Sequence, residues 1–127
     1  MKSKEHELQA ACVKWFSLQY PQYDRMLFAI PNGGKRDGKT GAWLKSEGVK
    51  RGVPDLFLSI PRWEYHGLYI EMKYGDNKLT ADQEKFFNQA TELGYLCLDC
   101  YTVDEFIDII TGYFALTNIN GIFDLNH

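Results

Sequence analysis

Gly52-Val53-Pro54-Asp55-Leu56-Phe57-Leu58-Ser59-Ile60 and, after a short interval, Gly67-Leu68-Tyr69-Ile70-Glu71-Met72-Lys73 are the two stretches that decide the fold. Each begins at a glycine and runs into aliphatic and aromatic residues, which predicts strands over 56–60 and 68–73 joined through Pro61–Gly67. Side chains on a strand alternate between faces, so Glu71 and Lys73 share one face while Met72 points to the other. Charges seldom enter an apolar strand unless they are paired or bound to a metal. Asp55 opens the neighbouring strand, and in a hairpin of suitable register its carboxylate lies beside that of Glu71. Two adjacent carboxylates repel, a divalent cation relieves the repulsion, and hard oxygen ligands suit Mg²⁺ or Mn²⁺. A lysine beside them orients or helps deprotonate a water, as metal-assisted phosphodiester hydrolysis requires. A surface Glu–Lys pair with a plain turn aspartate has the same spacing.

Outward from this hairpin, Leu8, Ala11, Cys12, Trp15, Phe16 and Leu18 recur at helical spacing and predict a first helix ending near Tyr20-Pro21. Arg25–Ile30 reads as a strand broken by Pro31-Asn32-Gly33-Gly34, and Gly41–Glu47 as a short helix. Thr80 followed by Gln83 is a capping box for a helix reaching Leu93 and stopping at Gly94. Tyr95–Asp99 reads as a strand, and Thr102 caps a last helix over 103–113. The order α-β-(short α)-β-β-α-β-α predicts one α/β domain over 1–114, a mixed central sheet flanked by helices, with 115–127 as an appendage.

The 127 residues are the length of one domain, and 45% hydrophobic with 24% charged residues exclude a disordered chain. No apolar run approaches a membrane span. The charged start Met1–Glu7 lacks a signal peptide's apolar core, so the expected compartment is the cytosol. Cys97 and Cys100 form a C-x-x-C, but with no second such pair to complete a zinc site they are expected, like Cys12, in the core. The net charge of −3 does not suggest a nucleic-acid binder, but its distribution does. Between Asn32 and Arg51 six basic residues (Lys35, Arg36, Lys39, Lys45, Lys50 and Arg51) oppose Asp37 and Glu47, a local +4. Local potential is what meets a phosphate backbone.

Taken in order, Gly48-Val49, Gly52-Val53-Pro54-Asp55-Leu56, Gly67 to Lys73 and Leu79-Thr80 with Gln83 resemble the virus-type replication-repair nuclease (VRR-NUC) family of the PD-(D/E)xK superfamily. The resemblance extends from about Glu5 to Tyr113. It implies a restriction-endonuclease-like core and a Mg²⁺- or Mn²⁺-dependent DNA endonuclease of phage or bacterial type, linked to branched DNA such as four-way junctions. It implies Asp55, Glu71 and the Met72 carbonyl as metal ligands and Lys73 as the residue acting on the attacking water. Glu5, in Glu5-His6-x-Leu8-Gln9, would be a further metal or water-positioning group, although an acidic residue there also suits the helix dipole. Gln83 would orient the lysine or touch phosphate, although the capping box explains it equally. Asn32, Lys35, Arg36, Lys39, Lys50 and Arg51 would hold the DNA backbone, and a symmetric junction suits a homodimer.

Gly33-Gly34-Lys35-Arg36-Asp37-Gly38-Lys39-Thr40 also fits the phosphate loop of nucleotide hydrolases. That reading needs a sturdy helix after Thr40 and leaves Asp55, Glu71 and Lys73 without a role. A non-catalytic DNA-binding module is the third reading, and a binder needs no carboxylate pair.

Overall fold

The computed structural model of the chain describes residues 2–31 and 40–117. Four strands, β1 (Leu27–Ala29), β2 (Leu56–Leu58), β3 (Leu68–Met72) and β4 (Leu96–Cys100), form one sheet in the order β1-β2-β3-β4. The first two pairings are antiparallel and β3–β4 is parallel. The parallel pair is joined through α3 (Ala81–Glu92), because a crossover between parallel strands needs room for a helix. The mixed sheet flanked by helices is the architecture the element order predicts.

The two sheet faces differ. Leu56, Leu58, Leu68, Ile70, Met72 and Cys100 point to one face and are fully or almost fully buried. Against them pack α1 (Lys2–Gln19) through Cys12 and Phe16, and α4 (Val103–Ala115) through Phe106, Ile110 and Tyr113. The opposite face carries Phe57, Tyr69 and Glu71 beneath α3, whose Phe86 ring lies 5.0 Å from that of Tyr69. The helices α3 and α4 start as the sequence predicts: the Thr80 hydroxyl accepts from Gln83 N–H and the Thr102 hydroxyl from Glu105 N–H.

Several boundaries differ from the sequence reading. Arg25 and Met26 belong to a short 3-10 helix, Pro21–Met26, so the strand expected over 25–30 keeps only three residues. Leu18 is 74% exposed: the buried stripe of α1 is Leu8, Cys12, Trp15 and Phe16, and Leu18 falls off it by helical angle. The last helix continues to Ala115, past the expected end at 113, and Leu116 packs on the core. Arg62 Nη2 donates to Phe114 O (2.6 Å) and Tyr113 Oη to Ile60 O (2.6 Å), tying the β2–β3 connection to α4.

Cys12 and Cys100 are buried and touch each other, whereas Cys97, three residues along the strand, faces α3 and is half-buried. The C-x-x-C is therefore split across the sheet. No helix among the described residues is long and apolar enough to cross a membrane.

Candidate active site

The site forms where β2 begins and β3 ends. Carried one residue beyond Leu56↔Ile70, the antiparallel register sets Asp55 opposite Glu71. Asp55 is fastened on both sides: its carbonyl accepts from Ile30 N–H (2.8 Å) and its Oδ2 from Met72 N–H (2.8 Å). Lys73 lies one residue past β3, yet its N–H still donates to Cys100 O (2.9 Å), so it keeps the strand's alternation. Glu71 is 5% exposed and Lys73 7%, and their Oε2 and Nζ are 3.6 Å apart. The spacing reading that put both charges on one sheet face therefore matches the structure.

Burial and the facing carboxylate of Asp55 push the Glu71 carboxyl up to about 8, against the smaller opposing pull of Lys73. Asp55 is also raised, first by burial, although the Met72 N–H favours its ionised form. Glu71 Oε2 accepts from Gln83 Nε2 (2.9 Å), while Glu71 Oε1 is buried and has no hydrogen-bond partner. A buried acceptor without a donor is costly. An acceptor of this kind beside a second carboxylate, with both groups resisting ionisation, fits a divalent cation, because a cation satisfies the oxygen and offsets the repulsion together. Among the described residues no three His, Cys, Asp or Glu side chains converge closely enough to hold an ion by themselves. Asp55 and Glu71 are therefore the side-chain donors the site offers, leaving further positions to backbone or solvent oxygen.

Gln83 has two tasks: it caps α3, as its sequence position allowed, and it holds Glu71, a carboxylate rather than the lysine that the resemblance implied. Its Oε1 accepts from Thr80 N–H (2.8 Å), closing the capping box, and its Nε2 holds Glu71. Gln83→Glu separates them. The acceptor for the cap survives, but the donor to Glu71 becomes a third carboxylate. Loss of a charge-assisted hydrogen bond, about 1.5–3 kcal/mol, predicts a tenfold to hundredfold fall in turnover with helix content retained. Wild-type turnover in Gln83→Glu would leave the residue with its cap alone.

Glu5 reaches the same end of the molecule from α1. Its Oε2 accepts from Asn77 Nδ2 (3.3 Å), and its charge acts on Asp55. Asn77 is in turn held through its carbonyl by Tyr101 Oη (2.7 Å). Neither Asn77 nor Tyr101 carries a sequence signal, because their roles exist only once α1 and β4 meet the loop after β3. Lys50 and Arg51 line a cleft of about 930 Å³ with Lys45, Gly52, Thr80 and Asp82, beside the N-terminal end of α3. Asn32, Lys35, Arg36 and Lys39 lie outside the described residues, as does most of the phosphate-loop match. Its remaining residue, Thr40, caps a helix of six residues, α2 (Gly41–Ser46), and the strand before it lies at an antiparallel edge of the sheet. Neither feature suits a nucleotide-binding loop.

A mixed sheet presenting Pro54-Asp55 and Glu71-Met72-Lys73 side by side at the ends of adjacent strands defines a nuclease of the PD-(D/E)xK type. The VRR-NUC domain profile matches residues 3–104, and the chain belongs to that family. A solved structure described as a VRR_NUC domain protein is similar over 90% of this chain and 90% of its own, at 29% identity and a TM-score of 0.79. No curated protein matches the chain.

Proposed function

We propose that this nuclease is a Mg²⁺- or Mn²⁺-dependent DNA endonuclease selective for branched DNA, four-way junctions included. The observation that carries the metal dependence is the buried Asp55–Glu71 pair with its unsatisfied Glu71 Oε1. When bound, a divalent cation supplies a Lewis acid at the scissile phosphate. Asp55 and Glu71 would hold it, with the Met72 carbonyl as an additional oxygen donor and Glu5 positioning a water nearby. Lys73, held against Glu71, orients the attacking water and offsets charge gathering on the phosphate. Gln83 keeps Glu71 in one rotamer. Lys45, Lys50 and Arg51 take the adjoining strand by its phosphates, a contact that positions without reading sequence. Asn32, Lys35, Arg36 and Lys39 are proposed as further phosphate contacts on the resemblance alone.

A two-fold dimer suits a symmetric junction. Edge strand β4 and the apolar groove beside it, lined by Trp63, Tyr65, Leu96, Leu98 and Ile109, offer a surface for one. The expected compartment is the cytosol of a bacterial or phage-infected cell.

The test is cleavage of junction, flap, single-stranded and duplex DNA with Mg²⁺ or Mn²⁺. Branched substrates should be cut first and EDTA should stop the reaction; cutting that survives EDTA removes the metal from the mechanism. Thermal shifts give a second reading. Because the folded protein raises Glu71 from 4.5 to about 8, the metal-free protein loses stability as pH rises between those values and levels off above them. Metal displaces the same proton, so Mn²⁺ should raise Tm more at pH 8.5 than at pH 5.5. An equal shift at both pH values would place the ion elsewhere.

A further inference from the structure

Phe28 sits at the middle of edge strand β1, opposite Phe57, on the sheet face that carries Asp55 and Glu71. It is 45% exposed. Its ring nevertheless packs at the end of an aromatic ladder. It meets Phe57 edge-on at 5.8 Å, Phe57 lies 4.4 Å from Tyr69, and Tyr69 meets Phe86 of α3. Behind Phe57 the backbone closes in: a Cβ at Gly67 would stand 2.7 Å from the Phe57 ring. The ladder is thus anchored at its inner end and open at Phe28. A strand rises about 3.4 Å per residue and neighbouring strands lie about 4.8 Å apart, so Phe28, one strand over from Phe57, is about 8 Å along the diagonal from Asp55. That distance is within the reach from a phosphate to a neighbouring base.

We propose that Phe28 is a stacking platform for an unpaired nucleobase beside the scissile phosphate. The inference rests on the nuclease reading and deepens it, because it supplies a physical source for selectivity. Every base has a π-face that stacks on an aromatic ring regardless of sequence. In an intact duplex those faces are covered by neighbouring pairs. At a flap, a branch point or a single strand they are open, so only such DNA can use Phe28 while its phosphate lies at Asp55 and Glu71. The cations of the adjoining cleft hold the backbone, and Phe28 places the base. It is a positioning residue, acting on substrate rather than on the reacting atoms.

The experiment compares the full-length wild type with Phe28→Leu, which keeps an apolar cover over Phe57 but cannot stack, and Phe28→Trp, which can. With Mn²⁺, Phe28→Leu should lose about tenfold in kcat/KM on a flap substrate, mainly through KM, with Phe28→Trp close to wild type. Affinity for fully paired duplex should be equal in all three. In EDTA, a flap carrying 2-aminopurine at its first unpaired nucleotide should be quenched on binding wild type and Phe28→Trp, and not on binding Phe28→Leu. Equal quenching by Phe28→Leu, or an equal loss on flap and duplex, overturns the platform and leaves Phe28 as cover. If the wild type cuts no DNA, the nuclease reading fails, and the quenching arm alone decides on Phe28.

Discussion

Glu71→Gln should abolish DNA cleavage and, in the absence of metal, raise the melting temperature. The two effects have one cause. Asp55 and Glu71 face each other with their ionised forms disfavoured, and Glu71 Oε1 has no donor. The folded metal-free protein therefore pays for this arrangement, and a neutral amide of the same shape removes the repulsion while its oxygen still accepts from Gln83. An arrangement that costs stability and persists is the usual mark of a site kept for chemistry. With Glu71 as the metal ligand we propose, its loss forfeits several kcal/mol of transition-state stabilisation, and each 1.4 kcal/mol or so is a factor of ten, so cleavage should fall by about three orders of magnitude. Asp55→Asn and Lys73→Met should lose activity on the same scale. They should differ in stability. Lys73→Met strips the buried pair of its counter-charge at 3.6 Å and should destabilise. Cleavage rates and thermal melts on the three variants check this. Wild-type cutting by Glu71→Gln or Lys73→Met would remove the site assignment, and a melting point lowered by Glu71→Gln would mean that the carboxylate is structural.

Gly52→Ala is expected to be the most damaging small change outside the charged residues. Gly52 has φ +85°, a conformation that L side chains rarely adopt. A Cβ there would stand 2.4 Å from the Asp82 carbonyl oxygen, an atom of backbone in the first turn of α3 that cannot swing aside. Left-handed strain alone costs about 1–2 kcal/mol, and the collision adds to it, so a loss of roughly 3 kcal/mol and a fall in Tm of about 10 °C are expected. The functional consequence follows from what the contact joins. Gly52 leads three residues later into Asp55, and Asp82 precedes Gln83. The close approach therefore sets the turn carrying one carboxylate against the helix that holds the other. Cleavage should fall even in the fraction that remains folded. A melt within about 1 °C of wild type with full activity would show that this approach can open without cost.

The sequence reading recovered what is local. The strand bearing Glu71 with Lys73 just past its end, the caps at Thr80 and Thr102, and the stop at Gly94 depend on side-chain alternation and on hydrogen bonds across three residues, which a short window contains. The ordered motifs from Gly48 to Gln83 added the family. Where local signals ran into one another, boundaries slipped: the strand expected from Arg25 gave way to a 3-10 helix, and Leu18 lay just off the buried stripe of its helix.

Asp55, Glu71 and Lys73 were thus named by the sequence, because strand periodicity and the proline–aspartate turn are properties of neighbouring residues. Only the tertiary structure decided how they are held. The contact between Asn77 and Glu5 spans 72 residues, and Gln83 meets Glu71 while also capping its own helix. Cys100 found Cys12 rather than Cys97, and Phe28 came to the active face by pairing with Phe57. Each of these depends on which strands pair, in which register, and on which helix covers which face. Such choices are made by burying the whole apolar surface at once, so no single stretch of sequence states them.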